Sequence, residues 1–297
     1  MVKKLIEDFL YYLTYEKNYS NYTITNYQKD LFHFLEFLDQ EYITFKQIDY
    51  PCIRLYLKKL YDLNLTKKTI ARKISTLRSF FKYLQGEKYI KKNPMTLISN
   101  PKLDKTLPKF LYEGDLEEIL NIPDINTPLG IRNLLILELL YSTGIRVGEL
   151  VHIKLNDIDK KSKRIKILGK GNKERYVLYG DNLQNIIALY LKEAKPKLEK
   201  NKTTHLLLNK NGGPLTDRGV RLIIDSIMKQ SSVKLKVSPH VLRHTFATHM
   251  LDNGADIKVV QELLGHENLA TTQIYTHLSN ERLRNVYLQT HPRAKKD

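Results

Sequence analysis

Cysteine is all but missing from this chain, with Cys52 alone in 297 residues. A single thiol excludes an internal disulfide framework and any cysteine-rich zinc site, and makes a reducing compartment, the cytoplasm, the natural setting. Long apolar runs are missing too. No stretch approaches the roughly 20 residues that cross a bilayer. The opening MVKKLIEDFLYYLTYEKN has Glu7 and Asp8 inside its apolar part and no small-residue cleavage site, which argues against a signal peptide. A soluble protein with no membrane partner is expected. Acid is scarce as well: 32 Asp and Glu face 49 Lys and Arg, a formal charge of +17. Such an imbalance points to a polyanionic partner, nucleic acid first, because clustered cations gain by releasing the counterions that phosphates hold. Solubility together with an AT-rich genome, which writes lysine freely, would give the same balance without such a partner. Internal repeats and low-complexity segments are absent.

The 42% of hydrophobic residues is enough for real cores, and the length suits two domains. From Lys3 to about Lys88 the periodicity is helical. In TIARKISTLRSFFKYL the residues Ile70, Ile74, Leu77, Phe81 and Leu84 recur at spacings of three and four. Lys67, Lys68, Arg72, Lys73, Arg78 and Lys82 are read as the opposite, basic face, able to lie on DNA or simply solvated. Similar spacing in DFLYYL, NYQKDLFHFLEFL and CIRLYLKKLY gives about four helices in a small bundle. KKNPMTLISNPKLDKTLPKFL, with prolines at 94, 101 and 108, reads as a linker. Helical patterns follow in GDLEEIL and in IRNLLILELLYSTGIRVGELVHI, broken at Thr143 and Gly144. RIKILGKGNKERYVLYG is a β-hairpin with a basic tip. Helices resume in DNLQNIIALYLKEAK, LTDRGVRLIIDSIMKQ, SPHVLRHTFATHML, DIKVVQELLG and ATTQIYTHL.

SPHVLRHTFATHML is the densest stretch for chemistry. Ser238 is a good N-cap and Pro239 occupies the first helical position. His240 and Arg243 then share the first turn, where unpaired N–H groups, the positive end of the helix dipole and a forked guanidinium all favour a phosphate. Leu242, Phe246 and Met250 form its core face. Zinc is the rival, since His240 and His244 are spaced H-x3-H and His249 and His266 lie further on. Cysteine ligands and an H-E-x-x-H pattern are absent, and the basic surround suits a divalent cation poorly, so no metal is expected and His244 and His249 read as structural. Arg146 follows a glycine break with Glu149 one turn on to orient it. Lys170 occupies the hairpin tip, His266 follows Gly265 at a helix C-terminus, and Tyr275 lies on a later helix. Each alone more often has a structural role. Together, two arginines and one or two histidines can hold a phosphodiester, a lysine can protonate a departing sugar oxygen, and a tyrosine in a cationic surround can attack.

These motifs, in this order, resemble the tyrosine site-specific recombinases of the phage integrase family, and within them the Xer chromosome-dimer resolvases, most like the XerC type. The resemblance spans ELLYSTGIRVGEL, LGKGNKER, SPHVLRHTFATHML, LLGHENLATTQIYTHLS and HPRA. By position it implies a catalytic set of Arg146, Lys170, His240, Arg243, His266 and the nucleophile Tyr275, with Lys170 as general acid; the usual Gly-Leu-Arg reads Gly144-Ile145-Arg146. It implies a mainly α, two-domain protein: a SAM-like core-binding helical bundle over 1–98, a linker over 99–108, and a mostly helical catalytic domain with a small antiparallel β-sheet over 109–297. Lys67, Lys68, Arg72, Lys73 and Lys173 are the candidate DNA contacts, mostly to phosphates. The tail SNERLRNVYLQTHPRA resembles a segment that docks onto a neighbouring protomer.

The activity so implied is metal- and cofactor-independent cutting and rejoining of a double-stranded DNA site through a 3′-phosphotyrosine, resolving chromosome and plasmid dimers at cell division. The implied partners are a second, XerD-like recombinase in a heterotetramer and an FtsK-type DNA translocase. A phage or transposon integrase would use the same residues; with no arm-binding domain expected before residue 1, it is the second reading. A non-catalytic DNA-binding protein would have no need of all these polar positions.

Overall fold

The computed structural model describes residues 2–102, 109–169, 173–265 and 280–294. The chain divides into two compact units, 1–106 and 107–297.

The first unit is built from α1 (Val2–Tyr15), α2 (Asn21–Gln40), α3 (Tyr50–Asp62) and α4 (Lys67–Gly86). Short polar side chains start the last three: Ser20, Asp49 and Thr66 accept the N–H of Thr23, Cys52 and Thr69, which satisfies donors the helix itself cannot. The buried stripes meet in an aromatic core, with Phe9 against Phe80 at 5.4 Å and Phe34 against Tyr56 at 5.0 Å between ring centroids. An ion pair enters this core. Asp30 on α2, buried, accepts hydrogen bonds from Arg72 and from Thr76 (3.0 Å) and pairs with Lys73 Nζ at 3.2 Å.

That pairing corrects the reading of α4. Lys73 is buried, so it does not belong to an exposed basic face with Lys67 and Lys68, which are exposed. A buried cation needs an opposite charge, and Asp30 supplies it. Arg72 is half-exposed but turned toward the same carboxylate. Arg78 donates to the Ile98 carbonyl at 2.8 Å, and Met95 and Ile98 are buried in this unit, so the first part of the proline-rich stretch packs on the bundle.

The second unit begins with α5 (Glu113–Asn121) and α6 (Pro128–Thr143). Gly144 ends α6 in the left-handed conformation (φ 60°), and α7 (Val147–Val151) follows at once. A side chain is excluded there twice over: an added Cβ would lie 2.7 Å from both Leu264 and Phe246. A three-stranded antiparallel sheet comes next, in the order β1 (Ile158–Asp159), β2 (Arg164–Leu168), β3 (Glu174–Leu178). The β2–β3 register pairs Ile165 with Val177 and Ile167 with Arg175, all on the inward face. The helix expected over DNLQNIIALYLKEAK is interrupted: α8 (Asp181–Leu189) passes through a π-turn at Tyr190–Ala194 into α9 (Lys195–Leu198). Pro196 accounts for the break, since proline supplies no N–H and crowds the carbonyl four residues back.

The rest is α10 (Asp217–Met228), α11 (Pro239–Asp252), α12 (Ile257–Leu264) and α13 (Asn280–Thr290). α6 is buried nearly all round and forms the centre of the unit. In this single chain the described part of the tail, 280–294, closes on its own unit, where α13 packs against α11 and α12. The buried Tyr287 hydroxyl donates to the Ser142 carbonyl at 3.0 Å, and Arg293 pairs with the buried Glu138 of α6. Among the described residues no helix is long and apolar enough to cross a membrane.

Candidate active site

The local folding of α11 follows its sequence. Ser238 accepts the Val241 N–H, Pro239 opens the helix, and Leu242, Phe246 and Met250 are buried. That seating leaves His240 exposed and Arg243 partly covered. Arg243 donates from Nη1 to the Gly144 carbonyl and from Nη2 to the Leu264 carbonyl at 2.8 Å. One guanidinium thereby joins the turn before Arg146 to the end of the helix before His266. Burial, with repulsion from Arg146 second, pulls Arg243 down from the usual 12.5 to about 10, so it stays charged at neutral pH.

Arg146 caps α7. Its backbone N–H donates to Glu149 Oε2 at 2.8 Å and its Nη1 to Oε1 at 2.9 Å. The same carboxylate takes a second, two-pronged guanidinium: Arg175 on β3 donates from Nη1 to Oε1 at 2.7 Å and from Nη2 to Oε2 at 2.9 Å. Burial alone would raise the Glu149 carboxyl, but the hydrogen bonds from Arg175 and Arg146 outweigh it and hold the group below the usual carboxylate range. Two guanidinium groups thus hold one carboxylate, and Arg243, near enough to feel the charges of Arg146 and Glu149, leaves the cluster a surplus of two positive charges. Such a surplus, partly shielded from water, is suited to an anion.

The structure therefore gathers Arg146 and Arg243, with His240 on the same helical turn as Arg243. Lys170, His266 and Tyr275 lie outside the described residues, as does the helix expected over ATTQIYTHL. Lys173 is exposed at the turn end of the hairpin, where its carbonyl accepts the Gly169 N–H at 2.8 Å. His249 is a structural residue: it is buried, with Nδ1 at 2.9 Å from the Tyr141 hydroxyl and Nε2 at 2.9 Å from the Leu111 carbonyl. His244 packs edge-on to Phe110. Among the described residues no group of three or more His, Cys, Asp or Glu side chains is placed to hold a metal ion. Arg175 escaped the sequence reading. Its signal was available in strand periodicity, since it falls on the same inward face as Val177, where an arginine must find a carboxylate.

A helical unit precedes a mostly helical unit that has a small sheet and an arginine cluster suited to an anion, and known proteins share this arrangement. The model of the Phage integrase family matches residues 109–282, and that of the phage integrase N-terminal SAM-like domain matches residues 6–88. The tyrosine recombinase XerC of Bacillus pumilus is 46% identical over 297 residues, covering 98% of this chain and 97% of its own. That of Staphylococcus saprophyticus is 46% identical over 296 residues, covering all of both chains. The crystal structure of the XerH site-specific recombinase bound to its palindromic difH substrate, a post-cleavage complex, superposes with a TM-score of 0.68 at 27% identity, over 92% of this chain and 81% of that one. The chain belongs to the phage integrase family, among the tyrosine recombinases of the XerC type.

Proposed function

We propose that this chain cuts and rejoins a specific double-stranded DNA site by covalent catalysis, and that it resolves chromosome and plasmid dimers at cell division. The observation that supports this most is the pairing of Arg146 and Arg243 at one turn: Arg243 grips the carbonyl of Gly144, two residues before Arg146. Two guanidinium groups so fixed are suited to opposite oxygens of a single phosphodiester.

In the proposed reaction the Tyr275 hydroxyl gives up its proton to solvent as its oxygen attacks the scissile phosphorus, and the bond to the 5′-oxygen breaks. Lys170 gives its proton to that departing oxygen, which leaves a free 5′-hydroxyl and a 3′-phosphotyrosine ester. Arg146 and Arg243, with His240 and His266, stabilise the charge that grows on the non-bridging oxygens. Because the ester conserves the energy of the broken bond, attack by a 5′-hydroxyl of the same or another strand reseals DNA without ATP. Free tyrosine ionises near 10, so attack at neutral pH calls for a strongly cationic surround, of which the surplus charge around Glu149 would be a part.

The exposed Lys67, Lys68 and Lys173 would contact phosphates, holding register without reading bases. The XerC names of the relatives and the DNA-bound XerH support a DNA-site partner. A second, XerD-like recombinase in a heterotetramer, control by an FtsK-type translocase, and a cytoplasmic location complete the reading. The test is a nicked suicide substrate, on which wild-type protein should accumulate covalent adduct and Tyr275→Phe none, with DNA binding retained. Adduct formation by Tyr275→Phe would refute the assignment.

A further inference from the structure

Beyond its share of the surplus charge, Arg175 has no part in the chemistry just described, yet its guanidinium lies where three segments read as catalytic meet. It holds both oxygens of Glu149, the carboxylate that also holds Arg146. It lies against Gly169, where an added Cβ would be 3.4 Å from Arg175 Nη1, and Gly169 immediately precedes Lys170. It lies closer still against Gly265, where a Cβ would be 2.7 Å from its Nε, and Gly265 immediately precedes His266. Its Nε is buried without a partner among the described residues. β3 fixes the Cα through the register pairing with Ile167, and the side chain is only one-fifth exposed. Glycine at both neighbouring positions, one of them left-handed (φ 67° at Gly265), is what allows the backbone to approach this guanidinium so closely.

We propose that Arg175 is the positioning residue of this site, a rigid plate that sets Arg146 through Glu149 and seats the chain leading into Lys170 and into His266. Lysine could not replace it, because a single ammonium cannot span both carboxylate oxygens and present a flat face to two glycines. The proposal rests on the reading of Arg146, Lys170 and His266 as catalytic, and the experiment separates the two.

Single-turnover adduct formation is measured at saturating protein on the suicide substrate, with the DNA dissociation constant and thermal midpoint measured alongside. Arg175→Ala and Arg175→Lys should each lower the cleavage rate about 100-fold, the loss typical of a misplaced catalytic group, with DNA affinity unchanged. Arg175→Ala combined with Glu149→Gln should be no slower than the worse single variant, because both act through one carboxylate. A substrate whose scissile 5′-oxygen is replaced by sulfur leaves without needing a proton. It should recover part of the Arg175→Ala rate if Lys170 has been displaced. Wild-type cleavage by Arg175→Ala, a loss that tracks DNA affinity, or losses that multiply in the double variant would overturn the proposal. If Arg175→Ala fails to fold, Arg175→Lys decides by the same criteria. Arg146→Ala is the control: if it cleaves normally, the site assignment itself fails, whereas normal cleavage by Arg175→Ala alone sinks only the positioning role.

Discussion

Replacing Arg293 with alanine should loosen the end of the chain, and by an amount that depends on pH. Glu138 lies at the centre of the second unit with no exposure at all. Its carboxyl is held above its ordinary 4.5 by burial, an effect that Arg293 opposes. Ser142 gives it one further hydrogen bond, at 3.1 Å. Removing one partner of a buried ion pair costs about 3–5 kcal/mol, because it strands the other charge. Two features pull the figure toward or below the low end: the Arg293 side chain is 27% exposed, and a stranded carboxylate can take up a proton. In the variant the folded-state carboxyl therefore rises further above its unfolded value. A raised folded value means stability that is present below about pH 4.5 and lost as pH rises through the folded pKa. The deficit of Arg293→Ala should thus be small at pH 5 and grow by up to about 1.4 kcal/mol per pH unit above it, to about 2–3 kcal/mol near pH 8. Urea unfolding at both pH values measures it, and hydrogen exchange should show the amides of α13 losing protection first. Equal stability at the two pH values would refute the reasoning, as would a change at pH 8 no larger than a surface pair provides.

Two further outcomes follow from buried charge. His291 packs against the rings of Tyr141, Phe246 and Tyr287, and burial pulls it from 6.5 down to about 3. A depressed folded value means stability that is full above pH 6.5 and lost on acidification, at about 1.4 kcal/mol per pH unit. His291→Leu should flatten that slope in urea titrations between pH 6.5 and 4.5, and an unchanged slope would show that another group is responsible. In the first unit, Asp30→Ala leaves Lys73 buried without a counter-charge and should cost about 3–5 kcal/mol. Amide protection in α2 and α4 would fall, and Asp30→Ala with Lys73→Met should recover most of it. If the double variant is as unstable as the single one, the pair is not what the region depends on.

How far the sequence foretold this molecule depended on whether a residue's partner was near it in the chain. The start of α11, the break at Gly144 and the β2–β3 hairpin were legible because capping, a left-handed turn and strand alternation are settled within a few residues. Lys73 was misread for the opposite reason. Its place on α4 lies among buried positions, between Ile70 and Leu77, but its charge suggested solvent, and the carboxylate that draws it inward is on another helix. Arg175 was passed over in the same way, since Glu149 answers it from 26 residues upstream. The π-turn after α8 had a local cause in Pro196, outweighed in the reading by the apolar periodicity around it. Periodicity reveals which face is buried, but cannot say which charges will be buried with it.

The two arginines that meet at the turn around Gly144, Arg146 capping α7 and Arg243 from α11, are tethered differently. Arg146 answers to a carboxylate, so part of its field is cancelled where it stands. Arg243 is held by two peptide carbonyls, which aim the guanidinium while leaving its full unit of charge in place. Five N–H groups less those two tethers leave three for an incoming anion. Carbonyls also come with the backbone whatever the side chain, so this aim survives any substitution at Leu264 that keeps α12 in place. Of the two, Arg243 is the stronger magnet and Arg146 the more adjustable hand.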